Sequence, residues 1–107
     1  MSNSELEFEA EPRVGAKMRF EWDKTKAAAN LRKHGVSFDE AATVFLDDLA
    51  ASGPDPDHSV GELRYLTFGV SRLVRLLAVS HSYRPGAIRI ISARRATRTE
   101  RMLYEEG

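Results

Sequence analysis

Apolar and charged positions alternate from Met18 to Trp22, with Met18, Phe20 and Trp22 on one side and Arg19 and Glu21 on the other. That period predicts a strand with one buried face. Asp23 follows as an N-cap, so a helix is expected over 24–34, and Gly35 is suited to close it in the left-handed conformation. A second helix starts at once. Ser37-Phe38-Asp39-Glu40 has the form of a capping box, in which serine and glutamate each satisfy a free backbone N–H. Phe38, Ala41, Ala42, Phe45 and Leu46 then recur at helical spacing and predict its buried stripe.

Gly53, Pro54, Pro56 and Gly61 mark 47–61 as mostly loop. Three apolar, β-rich runs follow at 62–69, 73–82 and 87–93. The short links between them, including the turn signal Pro85-Gly86, require antiparallel neighbours. Thr97-Arg98-Thr99-Glu100 is a second capping box and opens a last helix reaching about 106. The order predicts an α+β fold: strand–helix–helix, then an antiparallel sheet of three to four strands and a C-terminal helix. Residues 18–107 are expected to form the single domain. Over 1–17, Glu5, Glu7, Glu9 and Glu11 alternate with Leu6, Phe8 and Ala10, a strand-like pattern. Like charges oppose pairing and Pro12 ends the run, so an acidic, flexible leader is expected.

A length of 107 residues supports one core, and 42% hydrophobic with 30% charged residues is a globular balance. No apolar run approaches the ~18 residues of a membrane helix. The acidic, polar start does not look like a secretory signal. There is no cysteine, which excludes disulfides and thiolate metal sites. A cytoplasmic location without membrane attachment is expected. The net charge of zero conceals a split: residues 1–61 carry seven Lys/Arg against twelve Asp/Glu, while 62–107 carry nine Arg, no Lys and four Glu. Guanidinium forks grip phosphate through paired hydrogen bonds, so the basic half is suited to a polyanion; a solvated basic surface would show the same composition.

Candidate chemistry gathers in that half. A two-residue loop at Ser71-Arg72 would set Glu62 opposite His81; a loop from Ser71 to Val74 would set Arg64 opposite His81. Either register places Glu62, Arg64 and His81 on one face, and a register shifted by one would separate them. Such a trio has the types needed for RNA cleavage without a metal: a base, an acid and a cation for the phosphorane. A salt-bridge pair beside a half-buried histidine is the structural alternative. Arg89, Arg94, Arg95, Arg98 and Arg101 continue into the last helix, where Tyr104 could stack on a base or donate a hydrogen bond. Asp55, Asp57 and His58 do not fit a calcium loop, because Leu66 stands where an EF-hand needs glutamate; turn formation suits them better, and no metal or other cofactor is expected. His34 sits at a helix C-terminus, a place for a structural cation.

Several segments together resemble the BrnT family of toxin–antitoxin toxins. They are Phe20-Glu21-Trp22-Asp23, Lys33-His34-Gly35-Val36-Ser37-Phe38-Asp39-Glu40-Ala41, Asp55-Pro56-Asp57-His58-Ser59, Arg64-Tyr65-Leu66-Thr67-Phe68-Gly69, His81, Ile88-Arg89-Ile90-Ile91-Ser92-Ala93-Arg94, Ala96-Thr97 and Glu100-Arg101 with Tyr104-Glu105. The resemblance covers about 18–106. It implies a RelE-like ribonuclease fold, RNA cleavage that arrests bacterial growth, and neutralisation in a hetero-oligomer by a BrnA-type, DNA-binding antitoxin. The family pattern falls on Arg64, His81, Arg89, Arg94 and Tyr104. Catalysis is therefore expected from Arg64, His81, Arg89, Glu62 and Tyr104, and RNA binding from Arg94, Arg95, Arg98 and Arg101. The leader and the turn Tyr83-Arg84-Pro85-Gly86 depart from the pattern, which leaves Arg84 without a role. The rival function is an inactive relative acting as a protein-binding or autoregulatory module with its antitoxin. Convergence of His81, Glu62 and Arg89 on a cleft would favour the enzyme.

Overall fold

A computed structural model describes residues 3–9, 17–56 and 62–106 of the chain. Strand β2 (Lys17–Asp23) leads into helix α1 (Lys24–His34), then α2 (Phe38–Thr43), which tightens into a 3-10 turn at Val44–Leu46. Asp23 caps α1 by accepting from the Lys26 N–H at 3.0 Å, and Gly35 closes it at φ 69°. Strands β4 (Tyr65–Val70), β5 (Leu76–Arg84) and β6 (Ala87–Arg95) precede helix α3 (Arg98–Glu106). The fold is α+β, but its sheet is larger than expected. With β1 (Asn3–Glu9) and β3 (Ala51–Pro54), the described residues form six strands in the order β1-β2-β6-β5-β4-β3, with β2 and β6 parallel and every other pair antiparallel.

Two strands lie where the sequence reading placed none. Asn3–Glu9 forms β1 against β2, so this part of the expected flexible leader is a sheet edge. Its register sets Glu7 opposite Arg19 and Glu9 opposite Lys17, so two acidic positions lie across from basic ones. Ala51–Pro54 forms β3 against β4, with its proline tolerated because the strand is at the edge.

Helices α1 and α2 cover one face of the sheet. Phe20, Trp22, Leu77, Val79, Ile88, Ile90 and Ala93 from the strands meet Val36, Phe38, Ala41, Ala42 and Val44 there. Gly69 of β4 lies against this layer; a Cβ on it would stand 2.7 Å from Val44 Cγ1, so no side chain fits. Asn30 of α1 is the polar keystone. Its Nδ2 donates to the Val36 and Ala93 carbonyls at 3.0 and 2.8 Å, and its Oδ1 accepts from the Ala93 N–H at 3.1 Å. Beyond Arg89, β6 has no paired strand on its β2 side, and this amide takes a strand's place at Ala93.

The two capping boxes close differently. Thr97 Oγ1 accepts from Glu100 N and Glu100 Oε1 accepts from Thr97 N, at 3.1 and 2.9 Å, the full reciprocal pair. At α2 only the serine half forms, with Ser37 Oγ accepting from Glu40 N at 3.0 Å. Glu40 turns inward instead, where it accepts from Ser71 Oγ at 2.6 Å and pairs with Arg75. The Arg75 hydrogen bonds, aided by Ser71, hold the Glu40 carboxyl below the usual carboxylate range against the opposing pull of burial.

Candidate active site

The hairpin joining β4 to β5 decides which side chains can meet. Tyr65 pairs with His81 and Val70 with Leu76. Ser71 N donates to Arg75 O at 2.9 Å and Val74 N to Ser71 O at 2.8 Å, leaving a tight loop with Val74 at φ 61°. This is a three-residue loop whose last position is left-handed, a place where glycine is usual. The register is one residue away from the expected Arg64–His81 pairing and three from the Glu62–His81 pairing, an odd shift in both cases. His81 therefore faces the helices, with Tyr65 and Thr67, while Arg64 and Leu66 belong to the other face.

His81 is wholly buried, at 0% exposure. Its ring packs edge-on against Phe45 at 4.9 Å and Tyr83 at 5.2 Å and stacks near Tyr65. Its Nε2 shares a 2.7 Å hydrogen bond with Thr67 Oγ1, which in turn bonds Ser52 Oγ at 2.6 Å. His81, expected from sequence among the catalytic residues, thus lies in the core and not on the cleft face. Burial pushes its pKa down to about 4, opposed by the charge of Asp55. The folded state keeps this ring neutral while the unfolded chain protonates it near pH 6.5, so its contribution is complete above that pH. It is lost as pH falls towards 4, at about 1.4 kcal/mol per unit and about 3 kcal/mol in all. Urea midpoints should fall across that window, and His81→Phe should flatten the fall. Equal parental stability at pH 7 and pH 4.5 would refute the assignment.

On the second face, a polar cleft of about 290 Å³ is lined by Asp55, Pro56, Arg64, Leu66, Ala78, Ser80, Ser92, Arg94 and Glu100. The strand register builds it: Ser80 of β5 lies opposite Ser92 of β6 and beside Leu66 of β4. Asp55 follows β3 and is held by its N–H to Arg64 O at 3.0 Å, while its Oδ2 accepts from Ser80 Oγ at 2.8 Å. Arg64 Nε is buried and has no hydrogen-bond partner among the described residues. Arg94 meets Glu100 through two parallel bonds of 2.8 and 2.9 Å, and these, with lesser help from Thr97, lower the Glu100 pKa to about 2 against burial.

Of the residues expected from sequence, Arg64 and Arg94 share this cleft. The others do not join them there. Glu62 forms an exposed ion pair with Arg84 at 3.0 Å, which also supplies the contact that the resemblance left open for Arg84. Arg89 pairs with Glu21 at 3.3 Å across the parallel β2–β6 contact. Tyr104 donates to Asp47 Oδ2 at 2.6 Å, and this bond together with burial raises its pKa to about 12. Arg95 and Arg98 are exposed, and exposed Arg101 lies 3.7 Å from Glu105. Asp57 and His58 fall outside the described residues; among those described, no three His, Asp or Glu side chains stand together as metal ligands. The cleft residues missed from sequence are Asp55, Ser80, Ser92 and Glu100. Two serines inside otherwise apolar central strands were the available signal, and Glu100 was visible only as a cap.

A family model for the ribonuclease toxin BrnT of type II toxin–antitoxin systems matches residues 22–100. The chain belongs to the BrnT family. That membership implies an RNA substrate and an antitoxin partner. The crystal structure of the Brucella abortus ribonuclease toxin BrnT is similar in fold: 22% identity, a TM-score of 0.52, and coverage of 72% of this chain and 94% of that one. No curated protein matches the chain. Among the described residues of this BrnT relative, no helix is long and apolar enough to cross a membrane.

Proposed function

We propose that this chain is an active, metal-independent endoribonuclease that works in the second-face cleft and is neutralised by a BrnA-type antitoxin. The observation that carries this reading is Arg64: its Nε is buried, unpartnered and in a polar cleft that also holds Arg94. Desolvating a charged donor without an acceptor is costly, and a phosphate entering the cleft supplies the acceptor. Asp55, only 8% exposed and tied to Ser80, is the carboxylate assigned to take the ribose 2′-hydroxyl proton. The 2′-oxygen then attacks phosphorus, the bond to the 5′-oxygen breaks, and that oxygen leaves with a proton from solvent. Arg64 and Arg94 stabilise the charge that builds on the phosphorane, the task a metal ion performs in other nucleases.

The setting we assign is the bacterial cytoplasm, with a RelE-like fold and a toxin–antitoxin hetero-oligomer that regulates its own operon. The inactive-relative reading keeps one specific observation in its favour, the removal of His81, Glu62 and Arg89 from the cleft. One assay separates the two. Purified chain should cut single-stranded RNA in excess chelator, and an equimolar antitoxin should stop it. Cleavage that appears only when magnesium or manganese is restored would overturn the metal-free mechanism; no cleavage under either condition would establish the inactive relative.

A further inference from the structure

The cleft has a feature at odds with a polyanionic substrate. Its described lining holds two guanidinium groups, Arg64 and Arg94, and two carboxylates, Asp55 and Glu100, so the formal charges cancel. Glu100 also engages Arg94 through the same two-pronged geometry that a phosphate uses. The element carrying Glu100 is lightly held. No residue of α3 is buried, and Met102 and Leu103 are 51% and 66% exposed. Among the described residues two side-chain ties fasten it to the rest of the fold: Glu100 to Arg94 of β6 at its start, and Tyr104 to Asp47, just after the 3-10 turn, near its end. The Arg94–Glu100 pair is itself partly exposed, so a competing phosphate can reach it.

We propose that Glu100 occupies the seat of an RNA phosphate on Arg94, so that α3 is a self-competing latch over the cleft. The inference rests on the RNA-cleaving reading of that cleft. When α3 lifts, the cleft loses one negative charge and Arg94 exchanges Glu100 for the substrate phosphate. The latch lowers apparent RNA affinity by the fraction of molecules in which it is closed. Any ligand that favours the lifted helix activates the toxin, and any that pins the helix silences it.

The test is binding of a short single-stranded RNA, 2′-O-methylated so that it cannot be cut, followed by fluorescence anisotropy at fixed salt with the full chain. Glu100→Gln keeps the shape and the helix cap but removes the charge. It should tighten binding by about fivefold or more. Tyr104→Phe lies outside the cleft and changes no charge at neutral pH, yet it cuts the second tie and should also tighten binding. Arg94→Ala should weaken binding, and Arg94→Ala combined with Glu100→Gln should bind no better than Arg94→Ala alone. If Glu100→Gln binds equally or more weakly while Arg94→Ala still weakens binding, the latch is wrong and Glu100 merely positions Arg94. If Glu100→Gln tightens binding but Tyr104→Phe does not, local charge and not helix movement is responsible, and the latch again fails. Should Arg64→Ala and Arg94→Ala both leave binding unchanged, the cleft itself is not the RNA site and both proposals fall.

Discussion

Arg64→Ala is expected to lower the initial rate of RNA cleavage by about a hundredfold or more, and Arg94→Ala by a comparable factor. Both side chains line the polar cleft; Arg94 stands on β6, and Arg64 directly precedes β4, where its carbonyl accepts from the Asp55 N–H. Arg64 begins the case because its buried Nε has no acceptor among the described residues. A donor in that condition gains more from a substrate phosphate in the transition state than a solvated arginine could. Arg64→Lys should recover only part of the rate, since ammonium restores charge but not the planar fork. Arg98→Ala and Arg101→Ala serve as controls. Those residues are exposed on α3, and their loss should slow cleavage mildly and chiefly at low salt. The measurement is the rate on a defined single-stranded RNA in chelator, with circular dichroism to confirm folding. If folded Arg64→Ala and Arg94→Ala both keep the parental rate, catalysis lies elsewhere on the molecule.

The largest expected loss of stability comes from Asn30. Asn30→Ala strips the Ala93 N–H, the Ala93 carbonyl and the Val36 carbonyl of their shared partner in a buried setting. Leaving such groups unsatisfied costs about 1–3 kcal/mol each, so about 3 kcal/mol or more is expected from a total of roughly 5–15. Asn30→Asp should be worse despite its nearly identical shape. It replaces a donor with an oxygen that faces two carbonyls, and it adds a buried charge. Urea unfolding of both variants tests this directly. A loss below about 1 kcal/mol for Asn30→Ala would mean that water or a backbone shift replaces the amide.

The local elements were legible because their signals act over a few residues. Asp23 and Gly35 bound α1, and Thr97 with Glu100 starts α3, through hydrogen bonds between near neighbours in the chain. Such bonds form between near neighbours wherever no distant partner competes for the same group. Arg64 and Arg94, both marked by the family pattern, line one cleft, and we assign them to the site.

Tertiary structure decided the rest. The β4–β5 loop has a left-handed residue at Val74, where a β-branched side chain gives no turn signal, so neither expected register was the right one. Because side chains alternate along a strand, an odd shift of register sent His81 into the core and left Arg64 on the opposite face. Strands β1 and β3 depend on partners elsewhere in the chain and on a sheet edge waiting to be paired. Glu40 illustrates the same competition. Its local role as half of a capping box lost to Arg75 and Ser71, distant in sequence but adjacent in the fold. By itself, then, the sequence determined the helices, their caps and the family. Which polar groups face one another across the cleft was settled by strand register, because register depends on loop geometry and on packing between distant segments.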